Sequence, residues 1–153
     1  AVFVPTLYKL TTADRFNKLL SFMKEPGLYS FGKAHVPETM SQIAFRQPEL
    51  KPACIEWFDD LISFAIEKLP EVQYIDGVLA AFLTSNIIDL HASELLPKIK
   101  AMYDTGCIDQ LYCGSIDTVE KEISQNTHSS HFDYFNFDVH ERFAAMKSRF
   151  DKP

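Results

Sequence analysis

Apolar residues return at helical spacing through most of this sequence, and that spacing commits the chain to helices before anything else is known of it. The clearest stretch places Ile75, Val78, Leu79, Phe82, Leu83, Ile87 and Leu90 on one broad stripe, wide enough for a helix buried on more than one side. Phe16, Leu19, Leu20 and Met23 repeat the pattern after Thr12, a candidate N-cap, and Pro26-Gly27 ends that segment. Val36, Met40, Ile43 and Ala44 make a second segment, with Pro37 near its first turn, where a missing N–H costs little. A third opens near Glu49 and Pro52, carries Cys54, Trp57, Phe58, Leu61, Ala65 and Leu69, and stops at Leu69-Pro70. Leu95, Leu96, Ile99, Met102 and Tyr103 form the next apolar face, with His91 and Glu94 as an imperfect capping box before it and Gly106 as its terminator. The stretch 107–114 reads as short extended or turn structure, and Ser115 caps a short helix over 116–123. Alternation long enough to build a sheet occurs nowhere, so the expected class is all-α.

Composition narrows the class further. With 153 residues, 46% apolar, the chain is sized for one domain with a substantial core. Its 13 Phe argue against disorder, and no apolar run reaches the roughly 20 residues of a membrane span. A net charge of −6 speaks against nucleic acid as a partner, because phosphate contacts need clustered Lys and Arg. Three Cys form no disulfide framework, so a reducing, cytoplasmic setting is expected. The chain opens on Ala1 and not on Met, which fits a piece of a longer array.

Two helix pairs share a layout, 35–46 with 49–68 and 75–90 with 92–104, and 4–10 with 12–24 makes a shorter first pair. Short linkers predict antiparallel packing of successive helices. A two-helix unit recurring at about 40 residues is the sequence signature of HEAT or armadillo arrays, whose units bury their apolar faces by stacking. The expected organisation is a helical repeat domain over 1–123, followed by a tail over 124–153. That tail begins with a polar linker, is rich in aromatics over 132–137, and ends in an amphipathic stretch with Val139, Phe143, Met146 and Phe150 on one face. Such a helix is expected to dock back on the last apolar face of the array. The alternatives are a partner-binding tail or a homodimer contact through 132–150.

The segment 48–123 resembles the HEAT-like repeat proteins of bacteria, closest to a family of unknown function. The resemblance rests on Asp89-Leu90, on the run Glu-Leu-Leu-Pro-Lys-Ile at 94–99, and on the stretches 106–109 and 114–119. His91, Cys107 and Cys113 depart from the pattern, where such sequences more often carry a small or turn-forming residue or apolar ones. The resemblance implies an α–α right-handed superhelix and no reaction. It also implies that the second helix of each pair lines the concave side. Residues 49–68 and 92–104 would then form a groove, with Glu56, Asp59, Asp60 and Glu67 facing a basic partner and Lys98 and Lys100 one repeat further along.

Chemistry-bearing constellations are few. His128, His131, Asp133, Asp138 and His140 could hold a metal, but they sit in a polar linker without a completing Cys, and surface histidines are the commoner outcome. Cys107 and Cys113 read as small buried hydrophobes, and Cys54 beside Trp57 as core. Asp89, His91 and Ser93 lie too close together to converge as a triad, and capping explains them more cheaply. Gly27-Leu28-Tyr29-Ser30-Phe31-Gly32 is too aromatic and uncharged to cradle phosphate. No nucleophile elbow, P-loop, dinucleotide fingerprint or zincin motif occurs. The expected function is therefore a non-catalytic protein-binding or scaffolding module without a cofactor. A metal-dependent protein using His128, His131 and His140 is the alternative.

Overall fold

Proline and short 3-10 turns set where the helices begin. The computed structural model describes residues 3–125 and 138–150, and among these every regular element is helical. The chain forms α1 (Phe3–Leu10), α2 (Phe16–Lys24), α3 (Ser30–Lys33), α4 (His35–Arg46) and α5 (Lys51–Lys68). It continues with α6 (Gly77–Asp89), α7 (Leu96–Asp104), α8 (Gln110–Cys113), α9 (Ile116–Ser124) and α10 (Val139–Phe150). Pro52 and Pro97 occupy the first turns of α5 and α7, where the absent N–H would have no partner in any case.

Three helices share one kind of entry. A single 3-10 turn leads into α2 (Ala13–Arg15), α5 (Pro48–Leu50) and α7 (Ser93–Leu95). Each turn closes with the same backbone bond: Arg15 to Thr12, Leu50 to Gln47, and Leu95 to Ala92, at 2.8, 2.8 and 3.0 Å. In sequence, the last two entries read Pro-Glu-Leu-Lys-Pro at 48–52 and Ser-Glu-Leu-Leu-Pro at 93–97.

Alternate helices are the packing neighbours. α1, α4 and α6 lie side by side, as do α2, α5 and α7, so the two sets form two layers joined by α4 on α5 and α5 on α6. Simple antiparallel pairing of successive helices is therefore not the main organising contact. Successive α4 and α5 do pack on each other, while α6 makes its principal contacts with α3, α4, α5, α8 and α9. The broad stripe of α6 explains this central place: Leu79, Leu83 and Ile87 are fully buried against a core that includes Met40, Ile43, Phe58, Leu61 and Ile62. Trp57 packs edge-on to Phe58 at 5.1 Å and donates its indole N–H to the Phe16 carbonyl, tying α5 to the start of α2.

The expected helix boundaries hold at several ends and shift at others. Gly106, at φ +69, terminates α7, and the Ser115 hydroxyl accepts from the Thr118 N–H at the start of α9. α6 starts at Gly77, two residues after Ile75, because the Asp76 carboxylate accepts from the Leu79 N–H at 2.8 Å. The capping box at His91 does not form. His91 instead adopts a left-handed turn (φ +50), and the 3-10 turn follows it. The stretch 107–114 is not extended, since it contains α8. Beyond α7, the faces of α6 and α7 are met by α9, with α8 also on α6. In α10, Phe143 is exposed and Met146 half-buried, so the expected docking face is open at Phe143.

One corner depends on a buried cation. Lys33 is 1% exposed, and its ammonium donates to the carbonyls of Met23 (2.9 Å), Glu25 (2.5 Å) and Tyr74 (2.9 Å). All three ammonium hydrogens are thus used, which is the condition for burying such a charge. Burial still draws the Lys33 pKa below the ordinary lysine value, opposed by the nearby Glu25 and Asp76 carboxylates. Ser30 donates to Asp76 at 2.6 Å and the Gly27 N–H to the Gln73 carbonyl at 2.7 Å, so the same corner is stitched three ways.

Lys33→Met should lower stability by roughly 2–4 kcal/mol in urea unfolding, because it leaves buried carbonyls without donors. Gly77→Ala should also destabilise, by roughly 1–3 kcal/mol, since the added methyl would meet the Cys107 carbonyl oxygen, a backbone atom with little room to yield. An unchanged unfolding midpoint for either variant would contradict the corresponding account.

Candidate binding cleft

Two adjoining depressions open on the α4–α6 side of the molecule. The larger, about 1010 Å³, is walled by α4, α6, α8 and α9, and the smaller, about 480 Å³, lies among α1, α2, α3 and α4. Phe31 and His35 belong to both, so the two are separated only by that pair of side chains.

Helix geometry delivers the lining of the larger cleft. Glu38 and Gln42 are four apart on α4, Phe82, Ser85 and Asp89 recur along α6, and Thr118 and Glu122 are four apart on α9. These spacings bring each set to one helix face. Each of the three helices thereby contributes one carboxylate: Glu38, Asp89 and Glu122. No lysine or arginine is among the described lining residues. His35 Nδ1 lies 3.8 Å from the Glu38 carboxylate.

Aromatic rings run through the cleft as a connected chain. Tyr29 meets Phe31 at 5.4 Å, Phe31 meets Phe82 edge-on at 5.6 Å, and Phe82 meets Tyr112 edge-on at 5.3 Å. Mutual packing holds these rings in place, yet Tyr29 is 74%, Tyr112 48% and Phe31 43% exposed. The smaller depression is almost wholly apolar, lined by Leu7, Leu19, Phe22 and Val36, with Phe3 stacked on His35 at its rim. Exposed rings held this way are unusual on a surface that has no partner.

Among the described residues that line the cleft, Gln42 is a buried polar one. It is 2% exposed, and its Oε1 has no hydrogen-bond donor. Buried acceptors are rarely left so. Nearby, the Tyr103 hydroxyl bonds the Gly114 carbonyl and the Cys113 sulfur, each at 2.9 Å. Burial raises the pKa of both Tyr103 and Cys113. This wall is structural rather than nucleophilic.

The residues expected to line a groove lie elsewhere. α5 and α7 pack directly on each other. Across their seam Lys98 donates to Asp59 at 2.6 Å and to Ser63 at 2.8 Å. Glu67 pairs with Lys68 at 3.3 Å, Lys100 pairs with Glu120, and Glu56 and Asp60 are exposed on α5. None of these six lines either depression. Of the histidines considered for metal, His140 is exposed at the start of α10, while His128 and His131 lie outside the described residues. Among the described residues no three metal-ligating side chains converge, and no helix is long and apolar enough to cross a membrane.

The cysteines need one correction. Cys113 is buried, but Cys107 is exposed, because the left-handed turn at Gly106 directs the chain outward and Ile108 takes the inward position. The sequence signal for the cleft lay in the aromatic connection 27–32, whose Tyr29 and Phe31 have no place in a helix stripe. No protein-family model, curated protein or solved structure matches the chain.

Thiol titration of the native protein should show one fast site, Cys107. Cys54 is fully buried and its pKa is pushed up to about 12, so it should react only on unfolding. Cys113 should be slow for the same reason. A Cys107→Ser variant that kept the fast phase would contradict this assignment.

Proposed function

We propose that this chain is a binding module that seats a segment of a partner polypeptide across the two adjoining depressions. The observation that carries the reading is the chain of rings in which exposed Tyr29, Phe31 and Tyr112 pack through half-buried Phe82, laid along a cleft that continues into an apolar pocket. Aromatic side chains are enriched in protein interfaces, and an apolar pocket beside a polar cleft suits an amphipathic segment with one anchored side chain. Three unpaired cysteines suit a reducing, cytoplasmic setting for such a partner.

The scaffold in this proposal is an array of HEAT-like helix pairs. The two layers and the shared 3-10 entry to α2, α5 and α7 support it, since repeated units reuse one local geometry at equivalent positions. Binding is placed on the α4–α6 side and not at the α5–α7 seam, because at the seam Lys98 already answers Asp59.

The test is selection of a random displayed peptide library on the full chain. Selected peptides should lose roughly tenfold or more in affinity when the cleft is filled by Ser85→Trp or, independently, by Thr118→Trp. Urea midpoints of both variants should stay near the parent value. Peptides that bind both variants as tightly as the parent would place the binding face elsewhere and overturn the proposal.

A further inference from the structure

We infer that the polypeptide seated on this face is a second copy of the same chain, in a reciprocal dimer where Leu111 of each copy enters the smaller pocket of the other. The inference rests on the binding reading above and names the partner.

The first observation is an apolar knob and an apolar hole on one side of the molecule. Leu111 on α8 is 94% exposed, the most of any large apolar side chain described, while Cys113 of the same short helix is buried. Its neighbour Tyr112 lines the larger cleft. The hole is the pocket of about 480 Å³ lined by Leu7, Leu19, Phe22 and Val36, ample for a leucine side chain. Tyr112, Phe82 and Phe31 connect the two, ring against ring, so knob and hole stand at opposite ends of one aromatic row. A lone exposed leucine needs no explanation. A leucine with a matching pocket on the same face is a self-complementary surface. Two copies related by a two-fold axis place each knob at the other's hole, with spacing matched by identity, and lay ring row against ring row.

Charge gives the second, independent argument. α1 packs on α4 and α4 on α6, while α2 packs on α5 and α5 on α7; α8 and α9 then lie on α6. The α1–α2 end and the α8–α9 end are therefore opposite ends of the stack. From Phe3 to Lys24 the chain carries Lys9, Arg15, Lys18 and Lys24 against Asp14 alone. Asp138 lies within electrostatic reach of Lys9, and Asp14 answers one of Arg15 and Lys18. Glu25, just beyond, faces the buried Lys33. A positive balance remains at this end. At the other end Glu120 is answered by Lys100, and Asp109, Asp117 and Glu122 stand against Lys121. The balance there is negative. The reciprocal arrangement that joins knob to hole also lays the acidic end of each copy over the basic end of the other.

The same charges set the orientation more than the strength. Each copy carries a net charge of −6, so two copies repel overall, and only the antiparallel arrangement opposes unlike ends. The contact is small, and its dissociation constant should be on the order of 0.1 mM.

The test is sedimentation equilibrium of the full chain, in reductant so that exposed Cys107 cannot cross-link copies. The mass should rise toward that of two chains and stop there. Leu111→Asp should weaken association roughly tenfold or more, and so should Gly32→Leu, which fills the pocket from a position with open space around its Cβ. Urea midpoints of both variants should stay near the parent value. Mixing the two variants should recover part of the association, because one keeps the hole and the other the knob. Salt screens the overall repulsion as well as the attraction between ends, so charge is tested by substitution. Lys18→Glu should weaken the dimer several-fold, and adding Asp117→Lys to the same chain should restore part of the loss.

A mass of one chain at every concentration up to about 1 mM would overturn the inference. Association unchanged by both Leu111→Asp and Gly32→Leu would do the same, as would growth past two chains, which a reciprocal contact forbids. A monomeric chain whose selected peptides still respond to Ser85→Trp and Thr118→Trp would overturn the dimer alone and leave the binding reading standing. A monomeric chain whose peptides ignore both variants would overturn the two together.

Discussion

The buried ammonium of Lys33 is the point on which the geometry of the cleft depends. It joins three carbonyls that the chain brings together from the end of α2 and from the turn before α6. Two of those carbonyls, Met23 and Glu25, lie at a helix C-terminus, where backbone acceptors have no intrahelical donor and the helix dipole favours a cation. One side chain therefore meets the needs of a helix end and of a turn, and no water is required. Because Lys33 is the last residue of α3, its anchoring also fixes Phe31, two residues earlier, in the wall between the two depressions.

The two sides of the molecule differ in how they treat polar groups. At the α5–α7 seam the charges answer each other: Lys98 reaches Asp59 and Ser63, and Glu67 has Lys68. Both members of the Lys98–Asp59 pair are more than a third exposed, so solvent screening leaves the pair a modest contribution to stability. On the α4–α6 side the Gln42 Oε1 is buried without a hydrogen-bond donor, and ring edges stay in water. Stability alone would favour neither feature. Their coincidence on one face is what supports the proposed binding side.

Much of the helical layout was legible because it is written in local residue order. The stripe of α6, the glycine after α7 and the serine before α9 each act within a few residues of their own position, and each appears where expected. The shared Glu-Leu-x-Pro entry of α5 and α7 was equally local. Phe82 illustrates the limit. Its place on the α6 stripe marked it as core, yet it is only half-buried, because Phe31 and Tyr112 flank it where a further helix would have covered it. Asp89 and His91 read as capping residues, and both are in the cleft wall, since residues that shape a corner also face whatever opens beside it.

The sequence by itself determined the helical class, most helix ends and the apolar faces, because periodicity and capping are decided among neighbours. Tertiary structure decided which faces meet and where an opening remains. Lys33 carries no local mark of burial: its partners are 8 to 41 residues away, and a lysine is ordinarily exposed. The acidic lining is equally nonlocal, with Glu38, Asp89 and Glu122 far apart in the chain and brought together only when α6 packs between α4 and α9. Charge composition can be counted in a sequence. The place where charges converge depends on how the helices pack.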